Sequence, residues 1–169
     1  VVRGRHQLPY LPARHLRGLL RYAASCLDAW QEEQPDATDQ PSAQEIFGRP
    51  GSHGAGQVPA VTLTNAELDP QEQAWFLANA ETSAVESLYF SSFHTAIDST
   101  TGTARKHSLR GVELIVPMTL YATLEVAAPE PERWVGRIQQ AAGLVRAVGG
   151  WRSRGFGRAA VKVELGAAT

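Results

Sequence analysis

The chain has 169 residues, 43% of them hydrophobic and 20% charged, which suits one globular core carrying a long insertion. No run of about 18 apolar residues occurs, and no basic segment followed by an apolar one opens the chain, so neither a membrane span nor a signal peptide is expected. The net charge of −1 conceals an acidic middle, residues 32–86, with ten acidic side chains and one basic (−9), inside a remainder with fifteen basic and seven acidic (+8).

That asymmetry fits a polyanion partner for the basic body; a solvated acidic insertion on an ordinary surface is the alternative. The chain opens Val1-Val2-Arg3 without an initiator methionine, so further residues are expected upstream. Residues 13–31 then read as an amphipathic helix behind Pro12, with Leu16, Leu19, Leu20, Ala23, Ala24, Leu27 and Trp30 on one apolar stripe. Arg14, Arg17 and Arg21 form a second stripe, with Gly18 among them. A glycine inside a helix costs stability unless something must approach closely. The stripe therefore reads as a phosphate-facing surface, with a solvated face as the alternative. Cys26, the only cysteine, excludes an internal disulfide and points to a reducing, cytoplasmic home.

Residues 32–60 carry turn residues throughout, with Ile46-Phe47 as an apolar anchor, and Val58 to Leu63 reads as a short strand. Asp69 to Ala80 reads as a helix capped by Asp69, with Pro70 in its first turn. Two longer strands follow at 86–98 and 112–127, the second bent at Pro117, joined by a polar connection over 99–110. A second amphipathic helix spans 131–147 and is ended by Gly149-Gly150, and Ala159 to Leu165 alternates as a final strand. With one strand added before Val1, this order gives an α+β, ferredoxin-like (RRM-like) βαββαβ domain with an acidic insertion over 32–86.

The segment 149–158, Gly-Gly-Trp-Arg-Ser-Arg-Gly-Phe-Gly-Arg, is the chemically richest. Gly149, Gly150, Gly155 and Gly157 let the backbone turn sharply and offer N–H groups to an anion. Arg152, Arg154 and Arg158 match phosphate oxygens bidentately, and Ser153 adds a hydrogen bond. Trp151 and Phe156 stack on bases or anchor the loop, and anchoring suits Phe156 better. A phosphate loop of the nucleotide hydrolases needs a Gly-Lys-Ser/Thr ending ahead of a helix, and a dinucleotide fingerprint needs the same order. Here the loop follows a helix and precedes a strand, so both of those readings fall away; an RNA backbone suits the loop, and a surface turn with solvated arginines is the alternative.

Residues 149–158 resemble the C-terminal glycine-rich loop of the RAMP superfamily, the repeat-associated proteins of CRISPR systems. Leu11-Pro-Ala-Arg-His-Leu-Arg-Gly-Leu-Leu-Arg21 resembles the first helix of the backbone subunits of type III effector complexes. Ile46-Phe47-Gly48 matches a motif that follows this helix in them, and Ala96-Ile-Asp-Ser-Thr-Thr-Gly-Thr-Ala104, running into Glu113 and Pro117, resembles their thumb segment. The resemblance implies a CRISPR guide RNA, its target RNA and other effector subunits as partners. It places Arg14, His15, Arg17 and Arg21 on phosphates from the helix, and Gly149 to Arg158, including Arg152, Ser153, Arg154, Gly155, Phe156, Gly157 and Arg158, from the loop. At Ala13-Arg14-His15 the family often has Gly-Ser-Ser, so charge or a ring nitrogen stands where hydroxyls are expected.

Two enzymatic readings accompany binding. In the family's backbone subunits an aspartate in the loop after the first strand cuts target RNA with Mg or another divalent metal; that loop would precede Val1. Asp98 matches the thumb instead, where a turn or cap role is expected. The second reading is guide processing by a metal-free RNase of the superfamily, with His6 and His15 as candidate acid–base groups. His53, His94 and His107 are scattered, and no metal site or cofactor is expected within these residues. A non-RNA-binding assembly module is the third class.

Overall fold

The computed structural model describes residues 2–32, 40–48 and 60–166. The turn-rich segment 49–56 with His53, the acidic residues 33–39, and Val58 lie outside them. In chain order the elements are α1 (Ala13–Glu32), α2 (Ala43–Phe47), β1 (Val61–Leu63), α3 (Pro70–Ala78), β2 (Tyr89–His94), β3 (Arg110–Ile115), β4 (Leu124–Val126) and α4 (Pro131–Leu144). Among the described residues the strands form two antiparallel ribbons, β1–β4 and β2–β3, and the chain is a mixed α/β protein. No helix among them is long and apolar enough to cross a membrane.

The chain divides into two compact units. The larger comprises Leu11–Ala66 and Ala122–Thr169 and holds α1, α2, α4 and the β1–β4 ribbon. The apolar stripe of α1 does form its core: Leu16, Leu19, Leu20, Ala23 and Ala24 are buried with Ile46 and Phe47 of α2, Val61 of β1, and Ile138, Ala141 and Ala142 of α4. Each fully buried Leu, Ile, Val or Phe side chain among them contributes about 1.5–3 kcal/mol. Trp30 ends the same stripe yet stands 55% exposed. The start of α1 is fixed from across the unit: Leu11 bridges Ala66, and the Ala13 N–H donates to Asn65 Oδ1 at 2.9 Å.

Ile46 and Phe47, expected in a loop, belong to the short helix α2. Ser42 and Glu45 form a reciprocal capping box at its start, and Gly48, at φ 76°, ends it. Asp28 of α1 ties the layers together, accepting the Ala43 N–H at 2.8 Å and the buried guanidinium of Arg137 at 2.6 Å. Helix α4 ends at Leu144, ahead of the glycines expected to stop it. The chain needs Ala147 and Val148 in extended form, because Ala147 bridges Arg158 and the Val148 N–H donates to Gly157 O at 2.8 Å. Residues 159–165, expected as a strand, run without a ladder among the described residues. Val161 and Val163 still pack against the core, and Gln139 Nε2 donates to Val163 O at 3.1 Å.

The smaller unit comprises Val1–Tyr10 and Glu67–Tyr121. Asp69 caps α3 as expected, in a capping box with Glu72 and with Pro70 in the first turn. The expected strand at 86–98 is shorter, a 3-10 turn over Glu86–Leu88 followed by β2. The expected strand at 112–127 is two strands: β3 pairs with β2, whereas β4 pairs with β1 in the other unit. Pro117 lies in the gap between them, where a residue without an N–H cannot continue a ladder. A second apolar cluster of Leu8, Leu68, Val85 and Leu88 underlies this unit. Arg3 pairs with Glu113 and lies 3.7 Å from the Tyr89 ring centroid, while Tyr89 Oη donates to Gln7 O at 2.6 Å.

Candidate nucleic-acid interface

Three elements of the larger unit build the site: the outer face of α1, the short ribbon formed by 146–148 and 157–159, and the loop between its arms. Val148 N–H to Gly157 O and Ala159 N–H to Arg146 O (3.1 Å) close the ribbon. Between them Arg152–Arg154 forms one 3-10 turn, entered through Trp151 at φ 59° and left through Gly155 at φ 84°. Gly149 (φ 80°) and Gly157 (φ 66°) also lie in the left-handed region, which disfavours any residue with a Cβ. Gly150 does not share that need, and a Cβ there would meet nothing within 4 Å.

A hydrogen bond joins helix and loop across 134 positions of sequence: the Gly149 N–H donates to His15 Nε2 at 3.0 Å. Accepting there fixes the tautomer, with the ring proton on Nδ1. His15, expected as a phosphate ligand or an acid–base candidate, thus has one nitrogen committed to holding the loop. His6, the other histidine considered, sits exposed in the Arg5–Gln7 turn of the smaller unit at φ 59°.

The arginines separate by role. Arg14 is exposed on α1 and Arg21 half-buried. Arg17 instead donates to the backbone carbonyl of Val61, so it braces α1 against β1. Gly18 lies on the face between Arg14 and Arg21, and a Cβ there would meet open space. No neighbour among the described residues therefore accounts for glycine at this place. On the loop Arg152, Ser153, Arg154 and Arg158 are all exposed. Arg154 stacks on Trp151, 4.5 Å from its ring centroid, and Phe156, half-buried, meets the same indole edge-on at 6.4 Å.

The surface has a part that sequence reading left aside. Tyr22, Cys26, Trp30, Leu144, Arg146 and Arg152 line a groove of about 380 Å³ that runs from the loop along α1. Trp30 ends the apolar stripe of α1 and Tyr22 lies off it; the available signal was two aromatic residues at i and i+8 of one helix.

In the smaller unit, Asp98 accepts the N–H groups of Thr100 (2.9 Å) and Thr101 (3.0 Å), the turn role expected of it. These bonds hold its carboxyl below the usual range, Thr101 contributing most. His94 and His107 belong to this unit as well. The described residues contain no group of three or more His, Cys, Asp or Glu placed to hold a metal ion, so no step through a divalent metal is derived from them.

A family model described as the RAMP superfamily matches residues 1–161. No curated protein matches the chain. Among solved structures, the chain is similar to one in a cryo-EM structure of the Type III-B Cmr-beta bound to cognate target RNA. The TM-score is 0.56 at 11% identity, covering 95% of this chain and 86% of that one. At that identity the likeness concerns the fold.

Proposed function

The chain belongs to the RAMP superfamily, and from that membership we propose that it binds the sugar-phosphate backbone of a CRISPR guide RNA as a subunit of a type III-like RNA-guided effector complex. The observation that carries the reading is the His15–Gly149 bond. It makes one surface of the helix face and the glycine-rich loop, the two segments whose residues most resemble the family. Arg14, Arg21, Arg152, Arg154 and Arg158 then offer cationic forks along one track, with Ser153 and the loop amides as neutral donors. Gly18 and Gly150 leave the backbone open where a strand would pass.

The ferredoxin-like arrangement belongs to this proposal in altered form. The order α1–β1–β4–α4 and the extended 159–165 segment, all in the larger unit, supply its helix–strand–strand–helix–strand series. On this reading β1 and β4 are the middle strands, and the 67–121 excursion is inserted between them. The neighbour's description, a type III complex bound to target RNA, supports target RNA and other effector subunits as partners, and the guide RNA follows from the family resemblance. His15 serves here as a positioning residue, because catalysis through Nε2 would require breaking the bond that shapes the loop.

The test is equilibrium binding of the full chain to single-stranded RNA across a salt series. A phosphate-dominated complex loses affinity linearly in log salt, by about 0.7 per phosphate neutralised on a single strand. A flat profile would instead assign the basic face to a protein partner.

A further inference from the structure

The groove beside the loop has a composition that backbone binding does not use. Its walls include Tyr22 and Trp30, which stand 72% and 55% exposed, and its floor is apolar, from Leu144 and its neighbours. Among the described residues the charged ones lining it are Arg146 and Arg152, and no carboxylate among them does so. Arg152 is also part of the proposed phosphate track, so groove and track are continuous. We propose that this groove binds unpaired nucleobases of the same RNA strand, Tyr22 and Trp30 serving as stacking platforms while Arg146 and Arg152 take the adjoining phosphates. The proposal deepens the RNA-binding reading and rests on it.

The chemistry suits this occupant. Aromatic faces on an apolar floor accept the flat, poorly hydrated face of any base. Guanidinium groups at the rim match phosphates and oppose a cationic peptide. About 380 Å³ falls within the range of small-ligand pockets, roughly 300–1,000 Å³. Tyr22 and Trp30 stand eight residues apart on α1, about 12 Å along its axis. They therefore act as two platforms in series, each meeting its own base. Stacking of this kind tolerates any base, so the groove adds affinity without reading sequence.

The experiment measures affinity of the full chain for a short single-stranded RNA and for the same strand with bases removed one position at a time. Parent, Tyr22→Ala, Trp30→Ala, Tyr22→Phe and Trp30→Phe are compared. Base removal at the positions meeting the groove is expected to weaken the parent about 5- to 150-fold. Each alanine variant loses the discrimination at its own base only, and the phenylalanine variants keep it at both. Both side chains are largely exposed, so the variants fold. Equal affinity of the parent for the intact and base-free strands overturns the groove while leaving the backbone reading in place. A parent that binds no RNA removes both. Self-association of the RNA-free chain that Tyr22→Ala abolishes would assign the groove to a second copy, overturning the proposal.

Discussion

Glycine-to-alanine substitutions in the loop separate backbone geometry from open access. At Gly157 an added Cβ would lie 2.0 Å from Val148 O and 3.2 Å from Val148 C. Both are backbone atoms that cannot swing aside, and φ is +66°. The clash falls on the Val148 carbonyl, in the same residue whose N–H donates to Gly157 O in the ribbon. The left-handed conformation alone costs about 1–2 kcal/mol with a Cβ, and opening the ribbon forfeits two hydrogen bonds at about 0.5–1.5 kcal/mol each. Gly157→Ala should thus destabilise the ribbon by about 2–5 kcal/mol. Gly149→Ala and Gly155→Ala, with positive φ but no close neighbour, should cost only the conformational part, about 1–2 kcal/mol. Gly150→Ala should leave the ribbon unchanged. Hydrogen exchange at the Val148 and Ala159 amides reads the ribbon directly, alongside RNA affinity and a urea midpoint for the core. Protection should fall in the order 157, then 149 and 155, then 150, while the core midpoint barely moves. Intact protection in Gly157→Ala, or equal damage from Gly150→Ala, would refute the geometry.

Gly18→Ala should raise the stability of α1 by about 0.5–1 kcal/mol and weaken RNA binding, checked by urea melts and anisotropy; unchanged binding would remove the close-approach reading. Arg17→Ala should cost about 1.5–3 kcal/mol of stability, the range for a hydrogen bond to a charged group, while leaving the salt slope of RNA binding as it was. In the smaller unit, Glu113 is held low by its hydrogen bonds to Arg3 and Asp98 by the Thr101 and Thr100 amides. A depressed carboxyl binds protons less readily folded than unfolded, so its stabilisation is present above the ordinary carboxylate range, about pH 4, and is lost as pH falls through the folded pKa. The thermal midpoint should therefore drop on acidification, and less steeply in the Glu113→Gln, Asp98→Asn double variant; a flat profile in the parent would contradict this.

Much of the larger unit was legible in the sequence because α1 and α4 carry 3.6-residue apolar stripes that tertiary packing reinforces. The start of α3 was equally clear, since Asp69, Pro70 and Glu72 act within one turn. The short helix α2 was missed although Ser42 and Glu45 spell its capping box; the surrounding turn residues outweighed a five-residue element. The pairing of β1 with β4 was hidden because strand partners separated by a whole inserted unit leave no local mark, and period two fits β3 and β4 equally well as one bent strand. The turn character of 149–158 was legible from its glycines, whereas its place between the arms of a short ribbon was not. What was not legible is which residues serve it: His15 turns to Gly149 and Arg17 to Val61, and neither contact has any signature nearby in sequence.

The most direct test of the central claim is RNA binding by the chain with Arg152, Arg154 and Arg158 all changed to alanine, beside the parent at matched salt. All three side chains are exposed, so the fold should survive, as circular dichroism and the urea midpoint would show. The account predicts that affinity for single-stranded RNA collapses and that the log–log salt slope becomes shallower by about 2 units, for three phosphate contacts at about 0.7 each. A folded triple variant that binds RNA as tightly as the parent, with the same salt slope, would contradict it.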